Sequence, residues 1–148
     1  MAAPDIVKGS YIDILVGDGA TPEVFSVLCG FSTNSFTEQV NTSDEFTYDC
    51  ADPEDVPFRV LNVTGRQWTI GGEGLHNRAQ GALLRTLIGQ KKSYRFRMSE
   101  PTADNIDDGY YYGVGVIVNR AIGGSRGAYA TSSLTIESDG EWLWADAA

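Results

Sequence analysis

Few residues in this sequence could act as a nucleophile, a base or a soft metal ligand. The chain has one histidine, His76, and two cysteines, Cys29 and Cys50. A Ser-His-Asp or Cys-His arrangement must therefore use His76, and no Gly-x-Ser-x-Gly turn supplies a nucleophile for it. The cysteines lack CxxC spacing, and we interpret them as ordinary thiols with one or both half-buried. These residues predict no catalytic centre.

Two loops have the composition of ligand sites but not the spacing. Gly71–Gly74 precedes a predicted helix as a phosphate-binding loop would, yet Glu73 would repel phosphate and no Gly-Lys-Ser/Thr follows. Asp104–Gly109 is acidic like a calcium loop, but Ile106 stands at an alternate ligand position and no closing glutamate follows. The sequence therefore predicts no cofactor and no metal.

Aromatic and acidic side chains leave two alternative functions open, a carbohydrate-binding module and a hydrolase. Trp68, Trp142, Trp144 and Tyr110–Tyr112 could stack on sugar rings, as in a carbohydrate-binding β-sandwich module. Alternation along strands places about half of such aromatics in a core. Carboxylates are numerous enough for glycoside hydrolysis, but no two are marked as a pair. We therefore expect a structural or interaction protein rather than an enzyme.

Charge narrows the choice of partners. The 148 residues include 11 Lys and Arg against 20 Asp and Glu, which gives a net charge of −9. A protein that holds nucleic acid by neutralising phosphates needs a basic face, and anionic lipid also selects cations. No apolar run approaches the roughly 18 residues of a membrane span, and the first residues do not have the pattern of a signal peptide. We expect no membrane partner and folding in a cytosol.

Short alternating runs separated by glycines predict a mainly β protein. The expected strands include Tyr11–Val16, Val24–Leu28, Val60–Thr64, Gln67–Gly72, Ser93–Met98, Tyr110–Asn119 and Ala128–Glu137. A tight turn at Ser138–Gly140 and a last short strand at Glu141–Trp144 complete the set. We expect a long polar loop at 41–57, where prolines and acids gather, a second acidic loop at 100–109, and flexible termini.

One helix is predicted from Asn77 to Ile88. Leu83, Leu84, Leu87 and Ile88 form an apolar stripe of helical period, with Asn77 as N-cap and Gly89 after the last turn. So short a helix must lie against a sheet. The whole chain, 1–148, is expected to be a single domain: a β-sandwich or flattened barrel with one flanking α-helix.

The succession of these segments resembles the major tail tube protein of long-tailed bacteriophages. It runs from the first strand through the Ser/Thr-rich acidic stretch Ser32–Asp49, Trp68-Thr69-Ile70 and the lone helix. It continues through the Tyr94-Arg95-Phe96-Arg97 strand and an acidic loop to the strand Tyr111–Val116. The final Ser/Thr-alternating strand, Ala130–Glu137, ends in Ser138-Asp139-Gly140, and this ending carries most of the likeness.

The resemblance implies a virion protein that forms hexameric rings stacked into a tube for the genome. It also implies a tail initiator or baseplate protein and a tape measure protein as partners, and assembly in the host cytoplasm. Viral DNA would pass without specific binding. The resemblance further implies a long stacking loop, which we place at 41–57.

Electrostatics suits this expectation, because a polyanion slides past acidic walls without binding to them. We therefore name acidic candidates for the lumen or ring faces and basic candidates for contacts between subunits. The acids are Glu38, Asp44, Glu45 and Asp49, and the bases are Arg95, Arg97, Arg120 and Arg126. The polar stretch Ser32–Tyr48 has few lysines to prevent edge pairing, so we expect it to pair across subunits.

Overall fold

Seven strands and one short helix form this chain in the computed structural model, which describes residues 6–99 and 108–146. A 3₁₀ turn at Gly9–Tyr11 leads into the first strand, and another at Arg78–Gln80 precedes the helix. The strands are β1 Ile12–Gly17, β2 Phe25–Val27, β3 Phe31–Thr47, β4 Phe58–Leu75, β5 Lys91–Met98, β6 Gly109–Gly123 and β7 Thr131–Asp146. The helix, α1, spans Gly81–Leu87. The expectation of a mainly β chain with one helix is confirmed.

All seven strands belong to one antiparallel sheet in the order β2-β1-β5-β6-β7-β4-β3. The sheet coils until the start of β3 returns to β1, where the Asn34 side-chain amide donates to the Ile12 carbonyl at 3.0 Å. Phe36 of β3 also contacts Phe96 of β5 and Tyr111 of β6, with ring centroids 5.5 and 4.6 Å apart. This closure produces the expected flattened barrel from a single sheet.

The core lies inside the coiled sheet, where alternate residues of the strands converge. Trp68, Tyr94 and Ile136 are almost completely buried. Their partners alternate along the strands as the period of two requires. The cluster is Ile14, Val16, Leu28, Trp68, Ile70, Leu84, Leu87, Tyr94, Phe96, Ile117, Leu134 and Ile136.

The helix covers one side of the barrel but is shorter than predicted. Asn77 caps the preceding 3₁₀ turn by accepting from the Ala79 N–H, and Leu84 and Leu87 enter the core. Leu83 and Ile88 differ from the predicted stripe, since they are 37% and 47% exposed. Seven residues make only two turns, so a single row at i, i+3 reaches the sheet, while its neighbours face outward.

The last strand does not turn at Ser138–Gly140, so the predicted final hairpin is wrong. Between the pairs Gly115↔Ser138 and Gly113↔Trp142, β7 advances four residues while β6 advances two. The extra residues form a bulge in one continuous strand, with Gly140 at a φ of +108°. Turns and bulges both favour a glycine at positive φ, and the sequence therefore did not separate them.

Part of the segment expected as a loop at 41–57 is strand. Residues 41–47 continue β3, and only 48–57 form the turn to β4. Ser, Thr and Asn in this segment weaken the apolar alternation that marks a half-buried strand, because neither face of it is buried within the subunit. The predicted loop at 100–109 lies outside the described residues except for Asp108 and Gly109, as do the ends, 1–5 and 147–148.

Candidate assembly surface

The outer halves of β3 and β4 extend beyond the sheet as a two-stranded hairpin. Pairing between them runs from Phe31↔Gly74 to Thr47↔Phe58, whereas β7 pairs with β4 only from Thr69 to Leu75. We call residues 39–47 and 58–67 the ribbon, and residues 48–57 the tip. The bulge in β7 marks the boundary between the sheet and the ribbon, because after the bulge β7 pairs with β6 alone.

One face of the ribbon continues the core-facing side of the sheet, but this part of it is exposed in the single subunit. Residues paired in an antiparallel ladder share a face, so the side of Phe36 and Ile70 carries on through Glu38 and Trp68. Thr64 is an extra residue in β4, so beyond it the odd-numbered residues Val63 and Leu61 lie on this face. Four apolar side chains on this face are 50–61% exposed: Val40, Phe46, Leu61 and Val63.

The opposite face of the ribbon is also exposed. Phe58 and Val60 lie there, and the part of β3 in the ribbon has no second strand on its outer edge. A two-stranded hairpin with no packed face is marginally stable in water. The ribbon therefore combines open faces, open edges and apolar side chains, three features that are common in surfaces that bind other chains.

The tip is acidic and held by its own side chains. The Asp49 carboxylate accepts from the Ala51 N–H at 2.9 Å, and Asp55 accepts from the Val56 N–H at 2.9 Å. Asp52 and Glu54 add two more negative charges, and residues 48–57 contain no basic residue. Cys50 is an exposed free thiol within the tip, and Cys29 is also exposed, so the expectation of half-buried thiols is wrong.

The four predicted acids lie along β3 and the tip but do not form one patch. Glu38 accepts a hydrogen bond from the Trp142 indole N–H at 3.1 Å. Asp44 and Glu45 are exposed on opposite faces of the ribbon, because they are neighbours in one strand. Asp49 holds the tip turn. The structure thus places Asp44, Glu45 and Asp49 in the ribbon or the tip and Glu38 in the sheet, and Glu38 and Asp49 have structural hydrogen bonds.

The four predicted arginines divide into two pairs. Arg97 forms an ion pair with Asp13 at 2.6 Å, and the Arg95 guanidinium lies over the rings of Phe25 and Tyr110 at 3.6 and 4.4 Å. Both are therefore engaged within the subunit. In Arg120, two buried guanidinium nitrogens have no partner in the described residues, and Arg126 is exposed in the turn between β6 and β7. Neither of these two forms an ion pair within the described residues.

Buried aromatics do not form a sugar-stacking platform. Trp68 is 2% exposed. Tyr111 stacks on Phe36 and contacts Trp144 edge to face, with ring centroids 4.6 and 4.7 Å apart. The carbohydrate-binding alternative is not favoured, since a platform needs flat rings facing solvent. His76 is half-buried, and its Nδ1 has no partner among the described residues.

Two titratable groups have shifted pKa values, and both are structural. Backbone N–H groups of Ala20 and Val24 donate to the Asp18 carboxylate and lower its pKa. The same two hydrogen bonds hold the 18–24 loop together. Burial raises the pKa of the Tyr94 hydroxyl to about 12. Within residues 6–99 and 108–146, no three His, Cys, Asp or Glu side chains gather as a metal site. No helix there is long and apolar enough to span a membrane.

Comparison with known proteins identifies the family. The sequence profile of the phage tail tube proteins matches residues 6–143. The chain belongs to the phage tail tube protein family. No curated protein sequence matches it.

Solved structures share the fold of this tail tube family member. A chain of the virion of a native gene transfer agent particle is 17% identical over 93% of this chain and 98% of its own, with a TM-score of 0.71. A chain of the tail of an empty gene transfer agent particle, refined helically with C6 symmetry, is 18% identical over 89% and 95%, with a TM-score of 0.63. The SPP1 tail tube protein is 12% identical over 96% and 80%, with a TM-score of 0.67.

Sequence reasoning missed the ribbon as a feature of this tail tube protein. It identified Ser32–Tyr48 as a polar stretch able to pair across subunits but placed a loop at 41–57. The available signal was weak, because only Val40 and Phe46 are apolar among the alternate positions 40, 42, 44 and 46.

Proposed function

We propose that this chain is a structural, non-enzymatic virion protein whose copies form hexameric rings that stack into the phage tail tube. The ribbon carries the proposal, because its two faces and outer edges are open in the single subunit. The family match and the likeness to a tail with C6 symmetry support the hexamer. Assembly would take place in the host cytoplasm, before the tube becomes part of the virion tail.

Burial of the ribbon provides the driving force for assembly. Fully covering one large aliphatic or aromatic side chain contributes about 1.5–3 kcal/mol. Val40, Phe46, Leu61 and Val63 together can therefore offset a large share of the roughly 4–15 kcal/mol that association costs. Each copy supplies the same set, so a ring gains this burial at every contact.

The open edge of β3 gives the contacts direction. Its 17 residues contain no Lys, Arg or Pro, which are the residues that commonly block strand addition. Backbone groups on this edge can add a strand from a second copy, in agreement with the expected pairing through Ser32–Tyr48. Arg120 and Arg126 are the basic candidates for the same interfaces.

The net charge suits a conduit for DNA. A net charge of −9 on each copy leaves little capacity for the phosphate contacts that would hold DNA in the bore. Asp44 and Glu45 are the exposed ribbon acids that we assign to the lumen or ring faces. A tail initiator or baseplate protein and a tape measure protein complete the set of proposed partners.

The test compares two paired substitutions of similarly exposed residues. Leu61→Ser/Val63→Ser alters the ribbon, and Val24→Ser/Val118→Ser alters apolar residues elsewhere that are 60% and 54% exposed. Both variants should keep the wild-type circular dichroism spectrum, since neither pair is buried in the subunit. Negative-stain microscopy should show tubes of uniform bore for the wild type and the control, and none for the ribbon variant.

Two results would contradict the proposal. A wild-type chain that stays monomeric at high concentration, with the tail initiator present, would exclude self-assembly. Equal loss of tubes in the ribbon variant and the control would remove the ribbon from the interface.

A further inference from the structure

A concave surface lies on the outer face of the barrel, across β5, β6 and the last part of β7. Its volume is about 490 Å³. Tyr112, Val114 and Leu143 line it and are 37%, 38% and 48% exposed. They point away from the core, because they alternate along β6 and β7 with residues that face it. We call this surface the outer pocket, and its lining is Glu23, Phe25, Ser93, Arg95, Tyr112, Gly113, Val114, Glu141 and Leu143.

A cation without a carboxylate partner lies in the outer pocket. Arg95 stacks on the rings of Phe25 and Tyr110, but no carboxylate among residues 6–99 and 108–146 forms an ion pair with it. Its Nε is buried and has no hydrogen-bond partner in the same residues. A guanidinium binds a carboxylate through two parallel hydrogen bonds when one is within reach. The stacking therefore holds the group in place and leaves its capacity for an ion pair unused.

Two acids flank Arg95 on opposite sides. The Glu23 carboxylate lies over Gly17 of β1, which is the strand next to β5. Glu141 lies on β7, two strands from β5 in the other direction. With strands about 4.8 Å apart and residues about 3.4 Å apart along a strand, Gly17 and Glu141 lie about 8 and 12 Å from Arg95. The outer pocket thus presents a negative, a positive and a negative group in that order.

The apolar face of the ribbon carries the opposite order of charges. The pairing of β3 with β4 places Asp44, Arg59 and Arg66 on the face that holds the exposed side chains of Leu61 and Val63. None of the three charged groups forms an ion pair within the described residues. By the same backbone spacings, Arg59 and Arg66 lie about 8 and 14 Å from Asp44. The ribbon thus presents a positive, a negative and a positive group at nearly the spacing of the outer pocket.

We infer that the outer pocket receives the apolar face of the ribbon of a second copy, an inference that rests on the proposed self-assembly. The carboxylate of Asp44 pairs with Arg95, and the two ribbon arginines approach the two acids of the pocket. The apolar side chains of the ribbon cover Tyr112 and Leu143. Because the two surfaces differ, the contact is head to tail, and every copy gives one ribbon and receives one.

Charge reversal in separate chains tests the pairing of Asp44 with Arg95. Asp44→Lys brings two cations together and Arg95→Glu brings two anions together, so each variant alone should lose at least tenfold in tube yield. An equimolar mixture should recover at least half of the wild-type yield, because each ribbon meets a pocket of opposite charge when the two chains alternate. Negative-stain microscopy and sedimentation measure the yield. A contact within one chain would give no such recovery.

Glu45→Lys is the matched control for Asp44→Lys. Glu45 is the next residue of the strand and lies on the opposite face of the ribbon, so the same change in net charge should leave the tube yield unchanged. Circular dichroism of the unassembled chains checks that each variant folds. If Arg95→Glu unfolds the chain, a mixture of Arg66→Glu with Glu141→Arg makes the same test at two exposed residues.

Cysteine cross-linking tests the position of the ribbon. In a Cys29→Ser/Cys50→Ser background, chains with Val63→Cys are assembled with chains that carry Leu143→Cys and are treated with a short bis-maleimide. Linked pairs of unlike chains should form at ten times the yield found with Ile122→Cys, which is 53% exposed near the other end of β6. Equal yields would show that the ribbon does not lie in the outer pocket.

The outcomes separate this inference from the proposed function. Wild-type tubes together with no recovery in the mixtures, or with an equal loss for Glu45→Lys, would overturn the docking and leave self-assembly intact. A wild-type chain that forms neither rings nor tubes would overturn both.

Discussion

The strand β4 passes through two regions that contrast in burial. In the sheet, Trp68 and Ile70 are each 2% exposed, whereas Leu61 and Val63 of the ribbon lie on the same side of the strand and are mostly uncovered. The side chains are of the same apolar class, and the alternation is similar. The difference is that the coiled sheet and α1 enclose the first pair. Apolar alternation therefore predicts burial without saying whether the cover comes from the same chain.

The largest expected effect is on the core side of this contrast. Trp68→Ala should lower the free energy of unfolding by about 3–5 kcal/mol, because it removes a large buried side chain and leaves a cavity. Urea denaturation of unassembled protein measures the change. Leu61→Ala, the ribbon counterpart, should cost less than about 0.5 kcal/mol. Comparable costs for the two variants would break the contrast between the regions.

An intermediate effect is expected at the bulge that separates the regions. Gly140→Val should cost about 1–2 kcal/mol, since a β-branched residue is strained at positive φ. Gly124→Val is the matched control, because a Cβ meets nothing within 4 Å at either glycine and Gly124 has no positive φ. Thermal denaturation of both variants compares them. Equal melting temperatures would show that the bulge does not need its glycine.

The smallest expected effect concerns one hydroxyl in the core. Tyr94→Phe removes a buried oxygen that has no partner in the described residues, so stability at neutral pH should change by no more than about 1 kcal/mol. Tyrosine ionises near 10 in the unfolded chain, and burial raises the pKa of Tyr94 to about 12 in the folded one. Rising pH therefore favours the unfolded state from about 10 to 12.

The same variant provides its own control in the alkaline range. The wild-type urea midpoint should fall more steeply than that of Tyr94→Phe between pH 10 and 12. Parallel curves would mean that Tyr94 ionises as easily in the folded protein as in the unfolded chain.

Much of the fold could be predicted because local patterns determine it. The clean alternation of Tyr94, Phe96 and Met98 marks a strand, and the leucine spacing marks a helix. The long hairpin could not be predicted, because Pro53 and Pro57 indicate a loop but do not show where the strands on either side of it end. The uncovered ribbon also lacks the apolar contrast that identifies strands in a single subunit.

The candidate residues were less predictable than the fold, since their roles depend on register. Arg97 faces Asp13 only because β1 pairs with β5 at that position, and no spacing in the sequence reveals such a pair. The same holds for Arg95 beside Phe25 and Tyr110. By contrast, exposed Arg126 and the acidic tip follow from local composition, because turns place charged side chains in water.

The shared strand also has a mechanical consequence. A pull on the ribbon along β4 loads the seven residue pairs that join β4 to β7, from Thr69↔Glu137 to Leu75↔Thr131, together rather than one after another. Shear of this kind resists rupture far better than peeling does. A load on the hairpin of one copy is thus carried by all seven pairs at once.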